Sequence, residues 1–147
     1  MTAPCSTWRW APGGTRAWRL HWGGVDRDLS RIHAARTGIL HNASLWVADL
    51  ETTRLPRERF SLVICTNYLQ RTIWNGLRDA IRPGGVLIYE TFTVAQRSLG
   101  TGPRSPDFLL RPGELRAAFD DWDLWHDEEV TAPAAVARVV AQKPDER

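Results

Sequence analysis

The chain has 147 residues, 43% hydrophobic and 24% charged, which fits one globular domain and excludes a disordered segment. A formal net charge of +2 is too small for a surface built around nucleic acid or an anionic membrane, so neither partner is expected. No apolar run approaches the roughly 20 residues that span a bilayer, and the N-terminus lacks the apolar stretch of a secretory signal. The two cysteines, Cys5 and Cys65, have no metal-type spacing. His21, His33, His41 and His126 show none either, so no metal is expected. Together these features predict a reducing, cytoplasmic setting. Of the 19 basic residues only Lys143 is lysine. The dominance of Arg, Ala, Gly and Pro, whose codons are GC-rich, predicts a bacterial source.

Residues 1–23 follow no regular pattern. Four of the eight tryptophans, Trp8, Trp10, Trp18 and Trp22, alternate there with Arg, Gly and Pro, and no sustained amphipathic stripe emerges. Gly24-Val25-Asp26 has the look of a strand end. Residues 28–37 read as a helix with Leu29, Ile32 and Ala35 near one face and Gly38 as its cap. Residues 45–48 form a short strand that ends at Asp49. A polar loop over 54–59 leads into the apolar run 60–65, interrupted only by Ser61, where Cys65 reads as a small core residue. An amphipathic helix follows over 72–82, stopped by Pro83-Gly84-Gly85, and 86–89 is the next buried strand. Residues 94–108 read as a loop punctuated by Gly100, Gly102, Pro103 and Pro106. A helix beginning near Pro112 covers 114–119, and 122–130 and 135–141 pair as a hairpin. The order predicts an α/β, Rossmann-like, mainly parallel sheet with a C-terminal antiparallel hairpin. The domain covers 24–143, between the irregular segment 1–23 and a tail at 144–147.

Three stretches carry a resemblance: VADLETTRLP, FSLVICTNYLQRTIWNGLRDAIRPGGVLIYETFT and SPDFLLRPGEL. They resemble class I S-adenosylmethionine (SAM) methyltransferases, and the last resembles bacterial members near the tellurite-resistance type. The resemblance covers residues 24–143 and implies SAM as cofactor and a small-molecule methyl acceptor. It places Asp26, beside Arg27, at the ribose hydroxyls, where a carboxylate can accept two hydrogen bonds from a vicinal diol. Asp28 suits a helix cap better than a ligand. Asp49 and Leu50 fall at the adenine, and Asn67 and Tyr68 beside the methionine part. There the Tyr68 ring either faces the sulfonium or merely packs. Glu90 and Thr91, at the carboxyl end of a strand, are placed toward the acceptor. No catalytic nucleophile is implied, because the sulfonium is already activated.

One family element is missing. The acid-x-Gly-x-Gly-x-Gly loop between the first strand and first helix has no counterpart: Gly13-Gly14 and Gly23-Gly24 lack its spacing. Read one base out of register, the codons from Cys5 to Gly23 can spell V-L-D-V-A-L-G-A-G-R-H-A-R-L-A-A-A-L-G. The Trp codon forces glycine at the Trp10–Ala11 and Trp22–Gly23 junctions. Residues 4–23 are therefore read as a frameshifted cofactor loop. The sheet is then expected either to lack its first strand or to fill the gap with residues 15–22, in which Trp18, Leu20 and Trp22 alternate. The domain is expected to be an impaired methyltransferase. The rival readings are a non-catalytic remnant or interaction module, and a NAD-dependent oxidoreductase on a similar sheet.

Overall fold

The computed structural model describes residues 6–10, 21–37 and 44–145. Cys5, Gly13, Gly14, Trp18, Leu20, Gly38 and His41 lie outside that set. The strands are β1 (Ser6–Trp10), β2 (His21–Asp26), β3 (Ser44–Val47), β4 (Phe60–Thr66), β5 (Ile81–Phe92), β6 (Asp123–Val130) and β7 (Val136–Gln142). The helices are α1 (Leu29–Thr37), α2 (Trp74–Ala80) and α3 (Glu114–Ala117). The strands form one seven-stranded sheet in the order β3-β2-β1-β4-β5-β7-β6.

Strand β1 departs from expectation. Residues 6–10 fill the place between β2 and β4, and they run antiparallel to both. The segment read as irregular thus supplies all of β1 and the first residues of β2. The physical reason is hydrogen bonding: the inner edges of β2 and β4 each present a row of donors and acceptors that must be paired. A short run of Thr and Trp, residues suited to a pleated strand, can pair them in either direction. Because β2 and β4 are both antiparallel to β1, they run the same way as each other. Strands β2 and β3, and likewise β4 and β5, pair parallel, as covered apolar runs tend to. The β6–β7 hairpin is antiparallel, and β7 also pairs antiparallel with β5.

Among the described residues, the main core cluster lies on one side of the sheet. Val63, Cys65, Leu87, Tyr89, Ala137, Val139 and Ala141 point there, against Leu77 and Ala80 of α2, Leu115 of α3, and Phe119 and Trp122. Their alternates on the other face, Leu62, Ile64, Val86, Ile88 and Val140, are half-buried. The expected helix over 72–82 is shorter. A 3-10 turn, Arg71–Ile73, leads into α2, and Ile81 already belongs to β5, opposite Phe60. The Pro83-Gly84-Gly85 turn is therefore a bulge inside β5. Gly84 adopts φ +69°, and a Cβ on Gly85 would sit 2.7 Å from Ile81 and 2.8 Å from the Arg82 carbonyl, so both positions require glycine. Lys143 donates from Nζ to the carbonyls of Arg78 and Ile81 at 2.9 and 2.8 Å, closing the C-terminal end of α2.

A one-sided core makes neighbouring β5 residues unequal. Leu87→Ala should lower stability by about 3 kcal/mol, and Ile88→Ala by less than about 1.5 kcal/mol. Urea unfolding checks this; equal losses would contradict the asymmetry.

Candidate active site

A cleft of about 610 Å³ opens at the carboxyl ends of β2, β3, β4 and β5. Open α/β sheets bind ligands at this edge, because the connecting loops diverge there. Asp26 is the last residue of β2 and Arg27 follows it. Asp49 and Leu50 follow β3, Asn67 and Tyr68 follow β4, and Thr91 lies near the end of β5. All seven line the cleft.

Asp26 is held firmly. Its Oδ1 accepts the Asp28 N–H at 2.8 Å, and its Oδ2 lies 3.6 Å from Arg31 Nη1. Each oxygen keeps a further lone pair, so the carboxylate can still accept from a diol. Its carbonyl accepts the Ala48 N–H at 3.1 Å, which ties the ends of β2 and β3 together. Asp28 caps α1: its Oδ1 accepts the Ser30 N–H at 2.9 Å and the Ser30 hydroxyl at 2.5 Å. These bonds, the hydroxyl first, hold its carboxyl below the usual range. Asp49 Oδ1 accepts the Glu51 N–H at 2.9 Å, and its carbonyl accepts from Thr52 and Thr53, so the β3 loop is a compact turn.

Asn67 turns the chain out of β4 with φ 53°, a left-handed conformation that asparagine tolerates at small cost. Its N–H donates to the Glu90 carbonyl at 2.8 Å. Tyr68 is half-buried. Burial first, and then the nearby Glu51 carboxylate, push its phenol up to about 12, so the ring stays neutral across the physiological range. Beneath it, buried Tyr89 donates its hydroxyl to the Tyr68 carbonyl at 2.8 Å and accepts from Trp74 Nε1 at 3.4 Å. Strand end and loop are thereby fixed from below.

Glu90 departs from its expected place: it does not line the cleft. It pairs with Arg138, which also donates to Glu128 at 3.0 Å. The Arg138 guanidinium on neighbouring β7 holds the Glu90 carboxylate over the sheet face, on the side opposite Tyr89 and Thr91.

Reading the sequence alone also missed a wall. Gly102, Pro103, Asp107 and Phe108 line the cleft opposite the strand ends, in a stretch read only as loop. Its composition shows turns but gives no hint of what they face. Two side chains anchor it. Gln96, 2% exposed, donates to the Thr101 carbonyl at 2.9 Å and accepts the Ala135 N–H at 2.7 Å. Arg71 binds Glu114 through Nε at 2.6 Å and Nη2 at 2.9 Å, and also donates to the carbonyls of Asp107 and Leu109. The Arg71 guanidinium holds the Glu114 carboxyl down to about 2.

No protein-family model matches the sequence, and no curated protein matches it. Solved structures do match in shape. The SAM-dependent methyltransferase from Mesorhizobium loti is 19% identical, with a TM-score of 0.64 over 82% of this chain and 80% of that one. One from Methanosarcina mazei is 15% identical, with a TM-score of 0.60 over 84% and 82%. TehB from Haemophilus influenzae is 15% identical, with a TM-score of 0.61 over 81% of this chain and 48% of its own. At these identities the likeness establishes the fold: the α/β, Rossmann-like fold of class I methyltransferases, with a mixed sheet.

The Arg71–Glu114 pair sets a pH window. The Glu114 pKa is about 2 in the folded protein and 4.5 in a free chain, so folding favours the ionised form. The pair's contribution is complete above about pH 5 and is lost as pH falls toward 2. Glu114→Gln should cost about 2 kcal/mol at neutral pH and about a quarter of that near pH 2.5, the one-third-exposed arginine being screened in part by solvent. Urea unfolding at the two pH values reads the difference.

Proposed function

We propose that the chain is a SAM-dependent methyltransferase domain, bacterial and cytoplasmic, acting on a small-molecule acceptor and impaired by the missing glycine loop. One observation carries the reading: Asp26, Asp49 with Leu50, and Asn67 with Tyr68 leave three different strands and line one cleft. Their chemistry suits the adenosine end of the cofactor. Asp26, beside Arg27, offers a fixed carboxylate to the ribose diol. Asp49 offers an anionic acceptor to the adenine amino group, with Leu50 against the base. The neutral ring of Tyr68 offers a π-face to a sulfonium, and Asn67 adds an amide beside it. SAM itself supplies the activated methyl group, so the chain's task is to bind, orient and exclude water. Thr91 and the wall at Pro103–Phe108 stand on the acceptor side, while Glu90 takes no part.

The rival with a nicotinamide cofactor also calls for a glycine loop and gains no residue that the SAM reading lacks. A non-catalytic remnant is the limit of the same impairment. Among the described residues no helix is long and apolar enough to cross a membrane. The frameshift origin of residues 4–23 belongs to this proposal, and the gene's nucleotide sequence tests it. A shifted frame encoding a Gly-x-Gly loop is expected, and its absence ends that part.

Isothermal titration should show SAM binding in the range of about 0.1–1 mM, with Asp26→Ala weakening it about tenfold. NADH binding without SAM binding would overturn the reading.

A further inference from the structure

We infer that the acceptor half of the cleft takes a small, largely apolar molecule that carries one ammonium group, anchored by Asp107 and Phe108. The inference rests on the cofactor reading above, which makes this half the acceptor side, and it narrows the acceptor to a chemical class.

The way Phe108 is presented carries it. Phe108 lines the cleft and is 57% exposed, while the next two residues, Leu109 and Leu110, are 1% and 0% exposed. A lone exposed apolar residue is ordinary, but this one stands on a pinned backbone. Arg71 donates to the carbonyls on either side of it, Asp107 at 3.2 Å and Leu109 at 3.0 Å. The Phe108 N–H donates to the Ser105 carbonyl at 3.1 Å, and the Leu110 N–H to the Phe92 carbonyl at 2.9 Å. These bonds tie the wall to the end of β5 and hold Phe108 at the cleft, outside the core that takes Leu109 and Leu110. The other limb of the wall is as firm. Gly102, at φ +72°, packs on the Gln96 amide, whose Nε2 is 3.3 Å from where a Cβ would stand.

The chemistry of this half is apolar with a single charge. Leu69, Phe92 and Pro103 join Phe108, and Gln70 and Thr91 add neutral polar groups. Among the described residues, Asp107 is the one charged group lining it, since Asp26, Arg27, Arg31, Asp49 and Glu51 belong to the β2 and β3 side. The nearby cations are directed elsewhere. Arg71 is committed to Glu114 and the wall carbonyls, and Arg104 donates to the Gly100 carbonyl at 3.2 Å without lining the cleft. Asp107 Oδ2 accepts the Ser105 hydroxyl at 3.3 Å, which leaves lone pairs on both carboxylate oxygens. A carboxylate next to a phenyl face offers an ammonium an ion pair and a cation–π contact together, and the apolar lining suits the rest of the molecule. SAM is itself a net cation and repels a second cation nearby. Asp107 offsets that repulsion and holds the ammonium at the wall, opposite the strand ends. A protonated nitrogen has no lone pair, so the methyl-accepting atom is a different one in the same molecule.

Phenethylammonium and hydrocinnamate, matched in size and opposite in charge, test this by amide shifts of the labelled full chain at low salt. Phenethylammonium should bind in the range of about 1–10 mM, shift Gly102, Asp107 and Phe108, and bind at least about tenfold tighter than hydrocinnamate. Asp107→Asn should bring the two probes within about threefold of each other, and Phe108→Ala should weaken phenethylammonium about threefold. Equal binding of the probes, no shift at ten times the expected concentration, or a preference that survives Asp107→Asn would overturn the inference. A separate titration with SAM keeps the two claims apart. SAM binding without a cation preference overturns the inference alone, whereas no SAM binding at millimolar concentration overturns the cofactor reading and with it the acceptor role.

Discussion

The structure depends on one constraint: no gap can stand in the middle of a hydrogen-bonded sheet. Adjacent strands lie about 4.8 Å apart, and every inner backbone group needs a partner. Strand β1 meets that need for both β2 and β4. It joins the β2–β3 pair to the β4–β5–β7–β6 body, and so brings Asp26 and Asp49 to the same cleft as Asn67 and Tyr68. Pairing is indifferent to direction, since antiparallel ladders are at least as good as parallel ones. A cofactor loop is not indifferent, because it must leave the strand at the cleft edge. Completing the sheet and delivering such a loop are therefore separate requirements, and β1, whose Trp10 end lies opposite His21 and Phe60, meets the first.

The two halves of the cleft are built differently. The β2 and β3 ends are held by short local bonds, from Asp26 to the Asp28 N–H and from Asp49 to the Glu51 N–H. The β4 end and the opposite wall are held by contacts distant in sequence. Tyr89 reaches the Tyr68 carbonyl, Gln96 reaches Ala135, and Arg71 reaches Glu114 and two carbonyls of the wall. Charge-assisted and buried bonds of this kind fix geometry more firmly than exposed ion pairs. The wall is thus a built part of the molecule, set by side chains that do not themselves line the cleft.

Much of this was legible in the sequence because local chemistry encodes it. The apolar runs at 60–65 and 86–89 could only be covered strands, and site residues at strand ends follow from the architecture. The rest was hidden for physical reasons. Strand direction is a property of the pairing, so Ser6–Trp10 carries no sign of running antiparallel. Arg71 and Glu114 are 43 residues apart, and nothing local marks them as partners. The bulge at Gly84-Gly85 reads as an ordinary turn until Phe60 is seen opposite Ile81.

The most direct test is the direction of β1 in solution. Antiparallel strands bring Hα atoms of facing residues together across the ladder at alternate pairs. In the nuclear Overhauser spectrum of the labelled chain, such Hα–Hα contacts should appear within the set Ser6–Val25, Thr7–Gly24 and Trp8–Gly23, and again toward Ile64 and Val63. Contacts in the reverse sequence, with Ser6 near His21 and Trp10 near Val25, would show a parallel first strand ending at the cleft and contradict the account.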